Sequence, residues 1–370
     1  MMRKTIFAAG LLCAFAACKQ GELAEPRGEI QNLAAAGFTS ADADTAYAAF
    51  NRYFYDPSAK IYYSNSDRNG VAAIWTQAIY FDLAMDVYQR RNTAADRQMI
   101  SDLYQGNYDE YDGYNWTNHE VWFIWDDMMW WILALARAHQ LTGDPVYLEK
   151  AIAGFNHVWE GSYDPENGGM YWNFDKSGKN ACINYPTVLA AMRLYAITGE
   201  TGYLDKAKMI YSWAYDNLFD ANTGRVADHK IGSNPPGYED YTYNQGTCIG
   251  AALALYKETN ETAYLDDAKK AADYTQNSMS TNGILPAEGD FNEQGVLKAI
   301  FARYIMQLIQ DGGQTQYLPW IRNNINTGWE NRDPARNLTH RDYDAPCPTG
   351  VIQSYESSSI PTFMQLCPPE

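Results

Sequence analysis

Two aspartates, Asp126 and Asp127, stand side by side in the run Trp122-Phe-Ile-Trp-Asp-Asp-Met-Met-Trp-Trp131. Like charge and low polarity both oppose ionisation there, so the two carboxyls are expected to titrate apart, one protonated and one ionised. Cleaving a glycosidic bond needs such a division: an acid for the leaving oxygen and a carboxylate for the other half of the reaction. Neighbouring helix positions point about 100° apart, which keeps the two carboxyls close. Separations of about 5 Å go with retention through a covalent glycosyl-enzyme, whereas inversion needs about 6.5–9.5 Å to admit a water. Adjacency therefore favours retention. An ordinary Asp-Asp pair is a turn cap beside a solvated neighbour; the four flanking indoles and the lack of a turn residue argue against that here.

Three further clusters are candidates for binding the same ligand. Tyr241-Thr-Tyr-Asn-Gln-Gly-Thr247 offers Tyr241, Asn244 and Gln245 to sugar hydroxyls. Glu288-Gly-Asp290 is followed by Lys298 and Arg303, and Trp172-Asn173 precedes Lys179-Asn180. The expected ligand contacts are Trp125, Trp172, Asn180, Tyr241, Asn244, Gln245, Asp290 and Lys298. Taken singly, each fits a cap or a satisfied core group as well; their common placement is the stronger argument. Glu288 and Asp290 are rival carboxylates should one member of the pair be structural. Trp75, Tyr80, Met128 and Met129 read as core, as do Cys182 and Cys248. The five histidines are scattered, and His119-Glu120 lacks a second histidine at helical spacing, so neither a metal nor another cofactor is expected.

A repeated phrase sets the scaffold that must position these groups. It reads Leu141-Thr-Gly-Asp-Pro-Val-Tyr-Leu-Glu-Lys150, Ile197-Thr-Gly-Glu-Thr-Gly-Tyr-Leu-Asp-Lys206 and Glu258-Thr-Asn-Glu-Thr-Ala-Tyr-Leu-Asp-Asp267. Each ends one helix at Gly or Asn and begins another. Its tyrosines, Tyr147, Tyr203 and Tyr264, recur at 56 and 61 positions, the length of one helical hairpin plus a long loop. Helices apolar on most faces are expected at about 71–90, 120–142, 180–199, 241–259, 293–310 and 349–366. Amphipathic partners follow at about 94–104, 144–160, 201–219, 261–278 and 315–327, with the sixth supplied by 41–56. The predicted fold is all-α, an (α/α)6 toroid of six helical hairpins. The Gly-, Pro- and aromatic-rich loops all enter inner helices at their N-terminal ends, so the chemistry gathers on one face.

The first 17 residues combine Arg3 and Lys4 with an apolar run and read as a signal peptide too short to span a bilayer. Phe15-Ala-Ala-Cys18 fits a lipobox, making Cys18 the expected lipidation site and residues 18–37 a lipidated tether ahead of a catalytic domain at 38–370. The expected product is an exported bacterial lipoprotein, monomeric, touching membrane only through that lipid. Whether Cys347 and Cys367 pair is left open by spacing. Net charge is −17, and loss of Arg3 and Lys4 makes it −19, which repels nucleic acid and anionic polymers. With 29 Tyr and 11 Trp the partner is expected to be neutral and to offer apolar faces for stacking, as sugars do.

The chain resembles glycoside hydrolase family 76, the bacterial endo-α-1,6-mannanases and their fungal cell-wall relatives. The likeness rests on Ile124-Trp-Asp-Asp-Met-Met-Trp130, Lys179-Asn-Ala181, Tyr243-Asn-Gln-Gly246 and Glu288-Gly-Asp-Phe291 through Lys298, and covers about residues 40–366. It implies an (α/α)6 fold, a retaining mechanism and cleavage of α-1,6-linked mannan backbones. It also implies Asp126 as nucleophile and Asp127 as acid/base. The fungal branch brings in transglycosylation as an alternative, and a decayed scaffold would leave a non-catalytic surface glycan-binding protein; the intact acid pair speaks against the latter. Other (α/α)6 activities fit less well, since an epimerase wants histidines and a uronide hydrolase an anionic substrate.

Overall fold

The computed structural model describes residues 37–369. The signal peptide, the tether and Cys18 lie outside the described residues. Six inner helices form a closed ring: α2 (Ile74–Arg91), α4 (Trp125–Thr142), α6 (Ala181–Thr198), α8 (Thr242–Thr259), α10 (Leu297–Gln310) and a broken sixth, α12 (Ser354–Ser357) with α13 (Ser359–Leu366). Each packs on the next, and α13 packs on both α10 and α2, so the circle has no open edge. The outer helices are α1 (Ser40–Phe54), α3 (Ala94–Glu110), α5 (Pro145–Ser162), α7 (Thr201–Leu218), α9 (Thr262–Tyr274) and α11 (Leu318–Glu330). This is the (α/α)6 toroid. Strand among the described residues is confined to two short antiparallel pairs, Tyr55–Asp56 with Ile61–Tyr62 and Lys179–Asn180 with His229–Lys230.

Burial follows the two classes of helix. Residues 181–192 of α6 are all buried, as befits a helix covered on two sides, while α1 buries Ala43, Ala46, Tyr47, Phe50 and Phe54 along one stripe. The repeated phrase ends its helices as the sequence predicts. Gly143, Gly199 and Asn260 all adopt left-handed backbone, each returning its N–H to a carbonyl one turn back. Asn92 does the same between α2 and α3. Where α8 meets α10 the ring tightens on glycine: a Cβ at Gly250 would lie 2.2 Å from the Tyr304 ring, and one at Gly246 would lie 2.7 Å from the Phe301 Cα. The circle is fastened where its two ends meet. Gln365 donates to the Ala43 carbonyl (2.9 Å), Arg90 pairs with Asp44 and bonds Gln365, and the Ser354 N–H reaches the Ser64 carbonyl (2.8 Å).

Several boundaries differ from the reading of the sequence: α3 runs on to Glu110 instead of about 104, α10 starts at Leu297 instead of near 293, and two further starts have a clear local cause. The second inner helix starts at Trp125 rather than near 120, because Ile124 is extended (φ −143°, ψ 137°) and the Val121 and Trp122 N–H groups close a turn on the Asn118 carbonyl. The sixth inner helix does not start near 349; the chain is extended up to Gln353, whose capping box with Glu356 begins α12. Cys347 carries a free thiol, so no bridge joins it to Cys367.

Candidate active site

The late start of α4 changes the setting of the acid pair. Asp126 and Asp127 occupy its first turn, where unsatisfied backbone N–H groups and the positive end of the helix favour a carboxylate. Asp126 Oδ1 accepts the Asp127 N–H at 3.1 Å. Both carboxyls open onto a cleft of about 810 Å³ whose lining comes from the N-terminal ends of five inner helices and the loops before them. The outer helix α3, running antiparallel, adds Glu110 and Tyr111 from its C-terminal end. Trp75, Trp130, Tyr243 and Tyr241 form a continuous aromatic wall, with successive ring centroids 6.5, 6.2 and 6.0 Å apart. Phe123 and Phe291 stand exposed at the mouth.

The surroundings divide the pair. Burial raises the Asp126 carboxyl to about 6, and the nearby Asp228 charge adds to this, while bonds from the Cys182 thiol and backbone N–H groups hold it down. Asp127 is driven well above the usual carboxylate range, first by burial, then by the Asp126 charge and by Glu293. The first member is therefore ionised near neutrality and the second keeps its proton. A proton donor and an anionic nucleophile or base lie on adjacent residues. That arrangement suits acyl or glycosyl transfer, and the cleft selects between substrates by charge. Six acidic residues line it (Glu110, Asp126, Asp127, Asp228, Glu239 and Glu293), with no Lys, Arg or His among the described lining residues. An anionic substrate would be repelled.

Of the residues expected from sequence, Asp126, Asp127, Trp172, Asn180 and Tyr241 come together on this lining. Tyr241 donates to Glu239 (3.0 Å) and accepts from Gln294 (3.0 Å). Trp172 bonds Ser177, and its carbonyl accepts the Trp125 N–H. Trp125, Asn244, Gln245, Asp290 and Lys298 are not on the lining. Trp125 turns outward, its ring 4.3 Å from Phe174 and closed over by His119 and His157. Asn244 is buried and donates to Asp228 Oδ1 (3.1 Å), so it orients a cleft carboxylate from behind. Gln245 is spent on backbone, accepting from Val226 N–H (2.6 Å) and donating to the Gly224 and Ala271 carbonyls. Asp290 is exposed and pairs with Arg341 (3.1 Å). Lys298 is fully buried, tying the Pro286 and Ala287 carbonyls (2.7 and 3.1 Å). Its neighbour Glu288 accepts from the Thr242 N–H and hydroxyl (2.8 and 2.9 Å), which removes it as a rival acid.

Several lining residues were not singled out or were taken for core. Trp75 is not core; it faces the cleft and donates to Glu293 (3.1 Å). Cys182 is not mere packing, since the first turn of α6 sets its thiol against Asp126. Asp228 and Glu239 lie in the loop between α7 and α8 and were not among the expected site residues. Asp228 is fixed by His229 Nδ1 (3.0 Å) as well as Asn244. Because the Cys182 thiol favours the ionised form of Asp126, Cys182→Ala should move the acidic limb of the pH–rate profile up by about 0.5–1 unit. The kcat at pH 8 should change little. An unmoved limb would show that the thiol does not tune the carboxylate.

Comparison with known proteins places this geometry. The signature of glycosyl hydrolase family 76 matches residues 38–346. The α-1,6-mannanase of a Salegentibacter species is 27% identical, superposes with a TM-score of 0.81, and is matched over 88% of this chain and 98% of its own. An inactive variant of that mannanase, with two consecutive aspartates replaced by alanine, has been solved with α-1,6-mannotetrose. A Listeria innocua protein is also 27% identical, with a TM-score of 0.80 over 88% of this chain and 96% of its own. A mannan endo-1,6-α-mannosidase of Eremothecium gossypii is 26% identical over 265 residues, 64% of this chain; the match spans only 57% of that relative's length. The family signature runs through most of the sequence and the ring is shared with its solved members, so the chain belongs to glycosyl hydrolase family 76.

Proposed function

We propose that the protein is a retaining glycoside hydrolase that cuts α-1,6-mannosidic linkages within mannan backbones. The observation that carries this reading is the adjacent acid pair, Asp126 and Asp127, in the first turn of α4 on an aromatic-walled cleft with no Lys, Arg or His among its described lining residues. In the first step Asp126 attacks the anomeric carbon as the bond to the leaving oxygen breaks, and Asp127 passes its proton to that oxygen. In the second, Asp127 takes a proton from water, whose oxygen attacks the same carbon and releases Asp126. Trp75, Trp130, Tyr241 and Tyr243 supply faces for the C–H surfaces of neutral sugars. The Salegentibacter complex with an α-1,6-mannooligosaccharide supports the substrate class.

The finer assignments on location belong to the same proposal. Cys18 is the lipid attachment site of an exported, monomeric lipoprotein that works at the cell envelope. No helix among the described residues is long and apolar enough to cross a membrane. The test is product analysis on linear α-1,6-mannan. Proton NMR should show α-configured reducing ends first, on oligosaccharides of mixed length. A β anomer appearing first would overturn retention, and mannose alone at early times would overturn internal cutting. Retained binding without any product would sink the enzymatic reading.

A further inference from the structure

Lys179, of the motif Lys179-Asn-Ala181, has no part in the chemistry assigned to the cleft. It stands first in the short strand Lys179–Asn180, is buried (7% exposed) and is absent from the cleft lining. Taking an ammonium out of water is costly unless the protein returns several good bonds. Here it does. Nζ donates to Asp164 Oδ2 (2.7 Å) and to the Gly168 carbonyl, and lies 4.8 Å from the centroid of the Tyr171 ring and 5.4 Å from that of Trp213.

The carboxylate that answers it is fixed by its own turn. Asp164 Oδ1 accepts the Glu166 and Asn167 N–H groups (3.0 and 3.2 Å), and Oδ2 accepts the Tyr171 hydroxyl (3.0 Å) as well as Lys179. One oxygen thus pins both Tyr171 and Lys179. Those two residues flank the turn 172–178, which closes where the Trp172 N–H meets the Gly178 carbonyl (3.1 Å). Their chain neighbours Trp172 and Asn180 reach the cleft lining. Gly168 and Gly169, both in left-handed backbone, bring the loop onto Trp213; a Cβ at Gly169 would lie 2.5 Å from that indole.

Two contacts carry this frame to the acid pair. The Trp172 carbonyl accepts the Trp125 N–H (3.1 Å) at the start of α4, one residue before Asp126. Three residues beyond Lys179, Cys182 sets its thiol against Asp126, and the intervening Ala181 N–H bonds the Asp228 carbonyl (2.8 Å). Stability alone does not account for a charge at this point, since an apolar pair of similar size holds two buried segments together as well. What an apolar pair lacks is direction. A single ammonium fixes three separate stretches of chain, at 164, 168 and 179, in one geometry.

We propose that Lys179 is a positioning residue for the acid pair: by joining Asp164 and Gly168 to the strand before α6, it holds the Trp172 carbonyl on Trp125 and the Cys182 thiol on Asp126. The proposal rests on the reading of Asp126 and Asp127 as the reacting groups of a mannanase.

Lys179→Met combined with Asp164→Asn removes the pair without leaving a buried charge unanswered. Amide hydrogen exchange, read by mass spectrometry, should quicken at least about tenfold at Trp125 and across 171–180, with the buried middle of α4 unchanged. On linear α-1,6-mannan kcat at pH 8 should fall about tenfold or more, since a displaced nucleophile loses its line of attack. Asp126 is faced by Asp127, Cys182, Asp228 and Tyr243, and of these the variant withdraws the thiol. The acidic limb of the pH–rate profile should therefore rise by about 0.5–1 unit, and adding Cys182→Ala should move it no further. A fall in kcat with the limb unmoved, or a Cys182→Ala shift that adds in full, would leave Lys179 a merely structural role and overturn the proposal. So would wild-type exchange at Trp125. Lys179→Met alone guards against a folding defect, because Asp164 keeps four donors from its own turn and Tyr171. It should show the same three changes, and wild-type behaviour in that variant would also overturn the proposal. A wild-type chain that turns over no mannan would sink the hydrolase reading, and exchange at Trp125 would still decide whether Lys179 holds the start of α4.

Discussion

Asp126→Asn should lower kcat on linear α-1,6-mannan by about 10⁴-fold or more while the chain stays folded. The amide matches the carboxylate in shape but cannot form the glycosyl ester, so the first step has no nucleophile. The loss should fall on kcat, because the aromatic wall that binds substrate is untouched. The same variant tests the electrostatics of the site through stability. In the native state the Asp126 carboxyl is raised from 3.8 to about 6, so between those values the folded chain holds more proton than the unfolded one. Stability contributed by this group is present at low pH and is lost as pH rises through about 6. Asparagine has no proton to lose. Tm of the variant at pH 7 should therefore equal or exceed that of wild type, with a flatter pH dependence across that window. A folded variant retaining near-full kcat would remove Asp126 from the role of nucleophile.

The scaffold was legible because it is repetitive. Tyr147, Tyr203 and Tyr264 sit behind residues that must adopt left-handed backbone, and Gly143, Gly199 and Asn260 do so. That chemistry is local, and so it survives translation from sequence to structure. The start of α4 was harder. Nothing in Glu120–Ile124 breaks a helix by composition; the break comes from the Asn118 turn and from the Trp172 carbonyl taking the Trp125 N–H, a contact 47 residues away. The consequence is chemical, since it moves the acid pair from inside the expected helix to its positively polarised end.

The binding residues were legible only in part, for a related reason. A position near the mouth of a ring does not say which way a side chain faces. Gln245 and Lys298 belong to the right helices, yet each turns to backbone carbonyls, Gly224 and Ala271 for one and Pro286 and Ala287 for the other, instead of the cleft. Glu110 and Tyr111 illustrate the converse. They end an outer helix, and only the antiparallel hairpin brings that end to the same face as the inner N-termini. Asp228 lacked any motif of its own; the two side chains that hold its carboxylate are His229 and Asn244.

Asp127→Ala should lower kcat on mannan by about 10²–10⁴-fold, and the way it fails distinguishes it from the nucleophile. Asp127 keeps its proton because burial, the Asp126 charge and Glu293 all disfavour its anion. Without that proton an unactivated mannosyl leaving group departs slowly. An aryl α-mannoside with a good leaving group needs no acid, so the glycosyl ester on Asp126 should still form and then accumulate, giving a burst of phenol. Azide, which attacks without a general base, should release the ester as α-mannosyl azide, the configuration of the substrate. The alkaline limb of the pH–rate profile should be lost as well, because it reports deprotonation of Asp127. In Asp126→Ala, by contrast, azide can enter only by direct displacement and should give the β azide with no burst. A β azide from Asp127→Ala together with an α azide from Asp126→Ala would reverse the two roles. Such an outcome would also mean that the thiol of Cys182 and the first turn of α4 stabilise the wrong member of the pair, contrary to the hydrogen bonds that favour ionised Asp126.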